Sequence, residues 1–205
     1  MKLFYMNNAC SLGIHMLLTE IGKPFETEKV DFMERAQYQP AFVAMNPKSK
    51  VPVLQRDDGS IITEFPAIAY YLARANPEAK LLPADIEGEA RALELLDYLI
   101  ATVHMRGFTR IFRPEMFSPT PEDKEKVQQA GRDVVSKGFE LLVPVLGEKK
   151  YILGDFSIVE GALFFLEYWA VHRAKIPLPE NFQAHFERLM ARPAVQRTLA
   201  AEGLA

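Results

Sequence analysis

Asn46-Pro47-Lys48-Ser49-Lys50-Val51-Pro52-Val53-Leu54-Gln55-Arg56-Asp57-Asp58-Gly59-Ser60-Ile61-Ile62-Thr63-Glu64-Phe65-Pro66 is the stretch on which the fold turns. Residues 51–55 and 60–63 are short apolar runs, and Asp57-Asp58-Gly59 between them is a strong hairpin signal, because a tight turn needs a residue tolerant of positive φ. Thr63-Glu64-Phe65-Pro66 then opens a helix, with proline in the first turn, where its missing N–H costs nothing. Asn46-Pro47 must stop whatever helix precedes it, since the residue before proline is pushed out of the helical region.

Working back from this stretch, Leu3-Phe4-Tyr5 reads as a strand, residues 11–22 as a helix capped near Gly22, and 25–30 as an alternating second strand. Residues 34–44 suit a short helix. The order is β-α-β-α-β-β-α. Working forward, Asn76-Pro77 to Pro83 reads as a linker, and the chain beyond it is helical throughout. Apolar residues recur at helical spacing over 87–112, a second amphipathic segment covers 122–146, Ser157-Ile158-Val159-Glu160 spells a capping box, and a last helix is predicted over 181–191. The expected division is 1–78, a linker at 79–85, and 86–205.

Composition removes several functions. With 24 basic and 27 acidic residues the net charge is −3, which disfavours a dominant nucleic-acid or anionic-membrane surface. The N-terminal apolar run is too short for a secretory signal and no stretch suits a membrane span, so a cytoplasmic protein is expected. One cysteine and four scattered histidines (15, 104, 172 and 185) lack metal-ligand spacing, and neither a phosphate-binding glycine loop nor a nucleophile elbow occurs. The single cysteine, Cys10, sits where the first strand turns into the first helix. Unpaired N–H groups and the positive helix end favour an anion there, and the thiolate is the reactive form of cysteine.

Taken in order, these pieces resemble the cytosolic glutathione S-transferases, and among them the bacterial beta class. The residues that carry the likeness are Tyr5, Ala9-Cys10-Ser11-Leu12 with His15, Asn46 through Leu54, Asp57-Asp58-Gly59, Thr63-Glu64, the Ala67-Ile68 helix and Ser157-x-x-Glu160. The resemblance implies an α/β thioredoxin-like domain followed by an all-α domain. It implies glutathione as co-substrate, no metal, an apolar electrophilic second substrate, a homodimer, a role in detoxification, and no nucleic-acid or membrane partner. By the same likeness Val51-Pro52 is the cis-proline turn whose backbone pairs with the cysteinyl part of glutathione. Glu64 receives the γ-glutamyl ammonium, the helix start at Phe65 receives that moiety's carboxylate, and Arg35 or Lys50 meets the glycyl carboxylate. Cys10 and Ser11 stand at the sulfur, as catalytic residues.

Two departures from the family pattern stand out. The histidine of the beta-class second domain falls on Met105, and His104, one residue early, is expected to point elsewhere. Phe65 stands where many transferases carry a serine whose hydroxyl helps bind glutathione. Met105, Phe108, Phe112 and Met116 are candidates for the electrophile pocket, with core packing as the alternative for each. Tyr5, His15, His172 and His185 are read as structural, and the aromatic run Phe164, Phe165, Tyr168 and Trp169 as core. Beside conjugation, with thiol–disulfide exchange through Cys10 left open, the alternatives are a glutathione-dependent disulfide reductase of the same fold and a non-catalytic binding scaffold.

Overall fold

The computed structural model describes residues 1–205. The chain divides into two compact units, Met1–Leu82 together with Met190–Ala205, and Pro83–Leu189. The break falls inside the expected linker. The expected second domain needs correcting at its far end, because residues 190–205 belong with the first unit.

In the first unit, strands β1 (Lys2–Tyr5), β2 (Glu26–Lys29), β3 (Val53–Gln55) and β4 (Ile61–Thr63) form one sheet in the order β2-β1-β3-β4. β2 runs parallel to β1, while β3 and β4 are antiparallel to their neighbours. The parallel pair needs a crossover, which α1 (Ser11–Ile21) supplies. The hairpin turns at Gly59, whose φ of 82° explains the glycine. Alternation sends Phe4 and Val53 to one face, where they pack with Val30, Phe42 and Val51. Leu3, Tyr5 and Leu54 are left to the other face, against α1 and α3 (Phe65–Ala75).

The predicted helix at 34–44 is in fact a 3₁₀ turn, Ala36–Tyr38, followed by α2 (Pro40–Met45). Pro40 starts the second piece and breaks the first. One helix escaped the sequence reading altogether. After Arg192 the chain forms another helix, Pro193–Ala201, which packs on α1. Arg192-Pro193 reads as a stop, yet proline is also a favoured first residue.

The second unit is helical. α4 (Ile86–Asp97) runs on through a π-helical stretch, Tyr98–Phe108, into α5 (Thr109–Phe112). α6 (Lys124–Leu146) lies alongside, close enough that a Cβ on Gly138 would come within 2.7 Å of Val103. α7 (Ile158–Tyr168) is buried along its whole length and carries the capping box in full, with Ser157 and Glu160 exchanging bonds with each other's backbone. Its π-helical continuation is Trp169–Ala174. The remaining helix of this unit is α8 (Glu180–Met190), and the helix Pro193–Ala201 is α9. No helix is long and apolar enough to cross a membrane.

Candidate active site

The turn joining β1 to α1 is held from below. Ala9 N–H bonds the Met6 carbonyl at 3.1 Å, and the Ser11 hydroxyl both accepts from Met6 N–H and donates to Met6 C=O, each at 3.2 Å. Ser11 is fully buried. Its hydroxyl is therefore committed to bracing the turn, which corrects the expectation that it stands ready at a bound sulfur.

A second brace comes from the far end of the chain. Glu202, 1% exposed, accepts a bond from Asn8 N–H at 3.0 Å with one carboxylate oxygen and bonds His15 Nδ1 at 2.9 Å with the other. Its carbonyl takes the Asn7 side-chain amide at 2.6 Å. Asn8 has φ 55°, a left-handed conformation that asparagine tolerates better than most residues. His15 is wedged between the rings of Tyr5 and Phe25, with centroids 5.4 and 5.7 Å away. It is structural, as expected, but its polar partner is a carboxylate. Tyr5 is also structural in character: burial, and then the charge of Glu202, raise its pKa, so its phenol stays protonated. The sequence reading missed Glu202 entirely, since no local motif links residue 202 to residue 8.

Cys10 is the N-cap of α1 and makes no side-chain capping bond. Its thiol instead donates to the Val51 carbonyl, Sγ to O 3.4 Å, across the turn that holds the cis Val51–Pro52 peptide bond. Burial around the sulfur pushes the pKa up to about 12. The N–H groups of Cys10 and Ser11 pull the other way, Glu64 adds to the rise and Lys50 opposes it. The pull of the helix end toward an anion is thus present at Cys10, and desolvation outweighs it.

Glu64 lies close enough for its charge to reach that sulfur, at the entry to α3 with φ 73° and ψ 128°. Phe65, 4% exposed, is the first residue of α3, and Pro66 follows it inside the first turn. Lys48, a residue the sequence reading did not single out, places its ammonium 2.5 Å from Glu64 Oε1 and 2.6 Å from Thr63 Oγ1. Cys10, Lys50, Val51, Pro52, Glu64 and Phe65 are thus gathered at one place. Arg35 is not: it is exposed and stacks over Tyr38, 5.3 Å from the ring centroid.

The four candidates for an electrophile pocket do not share one environment. Phe108 is fully buried, stacked on Phe112 and edge-on to Trp169, so it is core. Phe112 is half-buried beneath the Arg173 guanidinium, 4.0 Å from its centroid. Met105 and Met116 are exposed, at 37% and 62%. His104 turns its ring onto Phe165 and Trp169 of its own unit, centroids 5.5 and 5.2 Å away. A cavity of about 290 Å³ in this unit, lined by Pro114, Ser118, Pro119, Thr120, Pro121 and Lys124 among others, includes none of the four.

Residues 9–75 match the model of the glutathione S-transferase N-terminal domain. The whole chain is 37% identical over 209 residues to glutathione S-transferase GstA of Escherichia coli O157:H7, with all of both chains covered. This chain belongs to the glutathione S-transferase family. Among solved structures, this transferase resembles the beta-class glutathione S-transferase of Sphingomonas chungbukensis, at 32% identity, TM-score 0.84 and full coverage of both chains. A sphingomonad glutathione S-transferase complexed with glutathione matches it equally well, at 32% identity and TM-score 0.84, again with both chains fully covered. The thioredoxin-like unit and the helical unit are the two parts of this family's fold.

Proposed function

We propose that this protein binds glutathione along Val51, Glu64 and the start of α3, and conjugates it through its sulfur to apolar electrophiles, as a beta-class enzyme. The observation that carries the reading is the Cys10 Sγ to Val51 carbonyl contact. It puts a thiol at the backbone edge where an extended cysteinyl residue can add as a strand. Glu64 and the start of α3 then stand ready for the ammonium and carboxylate at the ligand's other end. Lys50 is the better of the two residues proposed for the glycyl carboxylate, because its charge reaches the sulfur site and Arg35 is engaged with Tyr38.

In the conjugation step the glutathione thiol gives its proton to water. The sulfur then forms a bond to the electrophilic carbon, and the leaving group departs with its electron pair. The enzyme's part is to favour the thiolate, and the N–H groups of Cys10 and Ser11 at the head of α1 serve that purpose. Conjugation ranks ahead of exchange because the Cys10 thiol, pushed up to about 12, is a poor starting nucleophile at neutral pH. Exchange through Cys10 is the second reading, supported by the position of its sulfur beside the ligand's expected path. Met105 and Met116 remain candidates for the electrophile side. A cytoplasmic homodimer acting in detoxification completes the proposal.

Calorimetric titration with glutathione is the first test: millimolar ligand producing no heat would remove both enzymatic readings and leave a binding scaffold. Cys10→Ala separates the other two. Conjugation of a chlorinated nitroarene should survive in this variant, while reduction of a mixed glutathione disulfide should vanish. Full exchange activity in Cys10→Ala would make the assignment of Cys10 wrong.

A further inference from the structure

The acid assigned to the ligand's ammonium already holds one. Lys48 Nζ lies 2.5 Å from Glu64 Oε1 and 2.6 Å from Thr63 Oγ1, which is how an alkylammonium with three donors seats itself. The turn that carries Lys48 is well fixed. The Asn46 side chain accepts from Lys48 N–H at 3.2 Å and donates to the Lys50 carbonyl at 2.8 Å, Asn46 itself is 2% exposed, and Ser49 N–H bonds the Asn46 carbonyl at 2.9 Å. The side chain is not so fixed: Lys48 is 47% exposed and Glu64 60%, and the lysine's flexible four-carbon stem leaves it free to swing into water.

We propose that Lys48 fills the ammonium seat of Glu64 in the ligand-free protein and must vacate it for glutathione, which makes Lys48 a specificity-determining residue. It lowers affinity only for ligands whose ammonium must take the seat. This rests on the reading of Glu64 as the γ-glutamyl acceptor. A half-exposed ion pair is weak, so the effect is a tuning one, on the order of a twofold to fivefold change in Kd.

The test is calorimetric titration of the full chain with glutathione and with its deaminated analogue, which lacks the α-ammonium and keeps everything else. Lys48→Met should tighten glutathione roughly twofold to fivefold, leave the analogue's Kd unchanged, and have no effect in a Glu64→Gln background. An unchanged or weakened glutathione Kd in Lys48→Met, or equal tightening of both ligands, overturns the proposal while leaving Glu64 in its role. If Glu64→Gln alone binds glutathione as tightly as the unaltered protein, the reading of Glu64 falls and takes this proposal with it. Circular dichroism matching the parent protein checks that each variant is folded.

Discussion

Each unit buries one histidine–glutamate pair of nearly the same length, His15–Glu202 at 2.9 Å and His185–Glu167 at 2.8 Å, but the two are finished differently. In the first unit both carboxylate oxygens are used, one on the imidazole and one on the Asn8 amide. In the second, Glu167 Oε2 and His185 Nε2 are buried with no hydrogen-bond partner, and a further buried carboxylate, Glu160, is close enough to act on both groups. Burying a polar group is cheap only when it is bonded. The first pair therefore works as a clamp on the loop before Cys10. The second is enclosed by the packing around α7, with only one side of each partner bonded to the other.

The largest effect expected from this contrast is in chemistry. With its thiol pushed up to about 12, Cys10 should carry about three orders of magnitude less thiolate at pH 7.5 than an ordinary thiol near 8.5. Alkylation by iodoacetamide should be slower in proportion. Glu202→Ala, by loosening the loop, should speed it by about tenfold; an unchanged rate would mean that the clamp does not govern the cysteine. Next comes Glu167→Ala, which strips a sealed imidazole of its partner and should cost about 3–5 kcal/mol in urea unfolding. Glu202→Ala should cost a comparable amount, about 1–3 kcal/mol for each of the two buried groups it strands, the Asn8 N–H and the His15 imidazole. Hydrogen exchange at the Asn8 amide would show whether the loss is local.

The pair in the second unit should also make stability depend on pH. Burial alone lowers the pKa of His185, but attraction and hydrogen bonding from Glu167, with help from Glu160, leave it raised. Burial raises Glu167, with His185 opposing. A histidine whose folded pKa lies above its unfolded value near 6.5 contributes its full stability below that pH and loses it as pH rises through the folded value. The raised carboxyl acts in the same direction, favouring low pH. The urea midpoint should therefore fall between pH 6 and pH 8, and His185→Gln should flatten that slope. The smallest effect is expected at the surface. Lys23 and Glu78 pair at 2.8 Å with both side chains more than half exposed, and Lys23→Ala should leave the urea midpoint unmoved.

What the sequence revealed follows the range of each interaction. The hairpin at Asp57-Asp58-Gly59, the Gly22 cap and the Ser157–Glu160 capping box are decided within a few residues, and each was legible. The place of Cys10 was legible as well, through the order of the motifs around it. Its protonation was not, because burial depends on what packs over the sulfur and no spacing encodes that. Whether Phe108 belongs to core or pocket was left open for a related reason: helical periodicity shows that a residue faces something apolar without saying whether that is core or cleft. Lys48 and Glu202 were missed because their partners lie 16 and 194 residues away. The helix Pro193–Ala201 was missed because a proline so soon after a helix resembles a stop, although it is equally a favoured first residue.

The clamp also has a place in time. Asn8 and the carboxylate that holds it are 194 residues apart, so at the usual pace of synthesis the loop before Cys10 waits about 10–40 s on the ribosome for its partner to be made. The sheet and α1 need nothing from beyond residue 82 to begin pairing, whereas the turn at the thiol is completed only after residue 202 has been made. The corner that holds Cys10 is thus secured long after the sheet beside it can form.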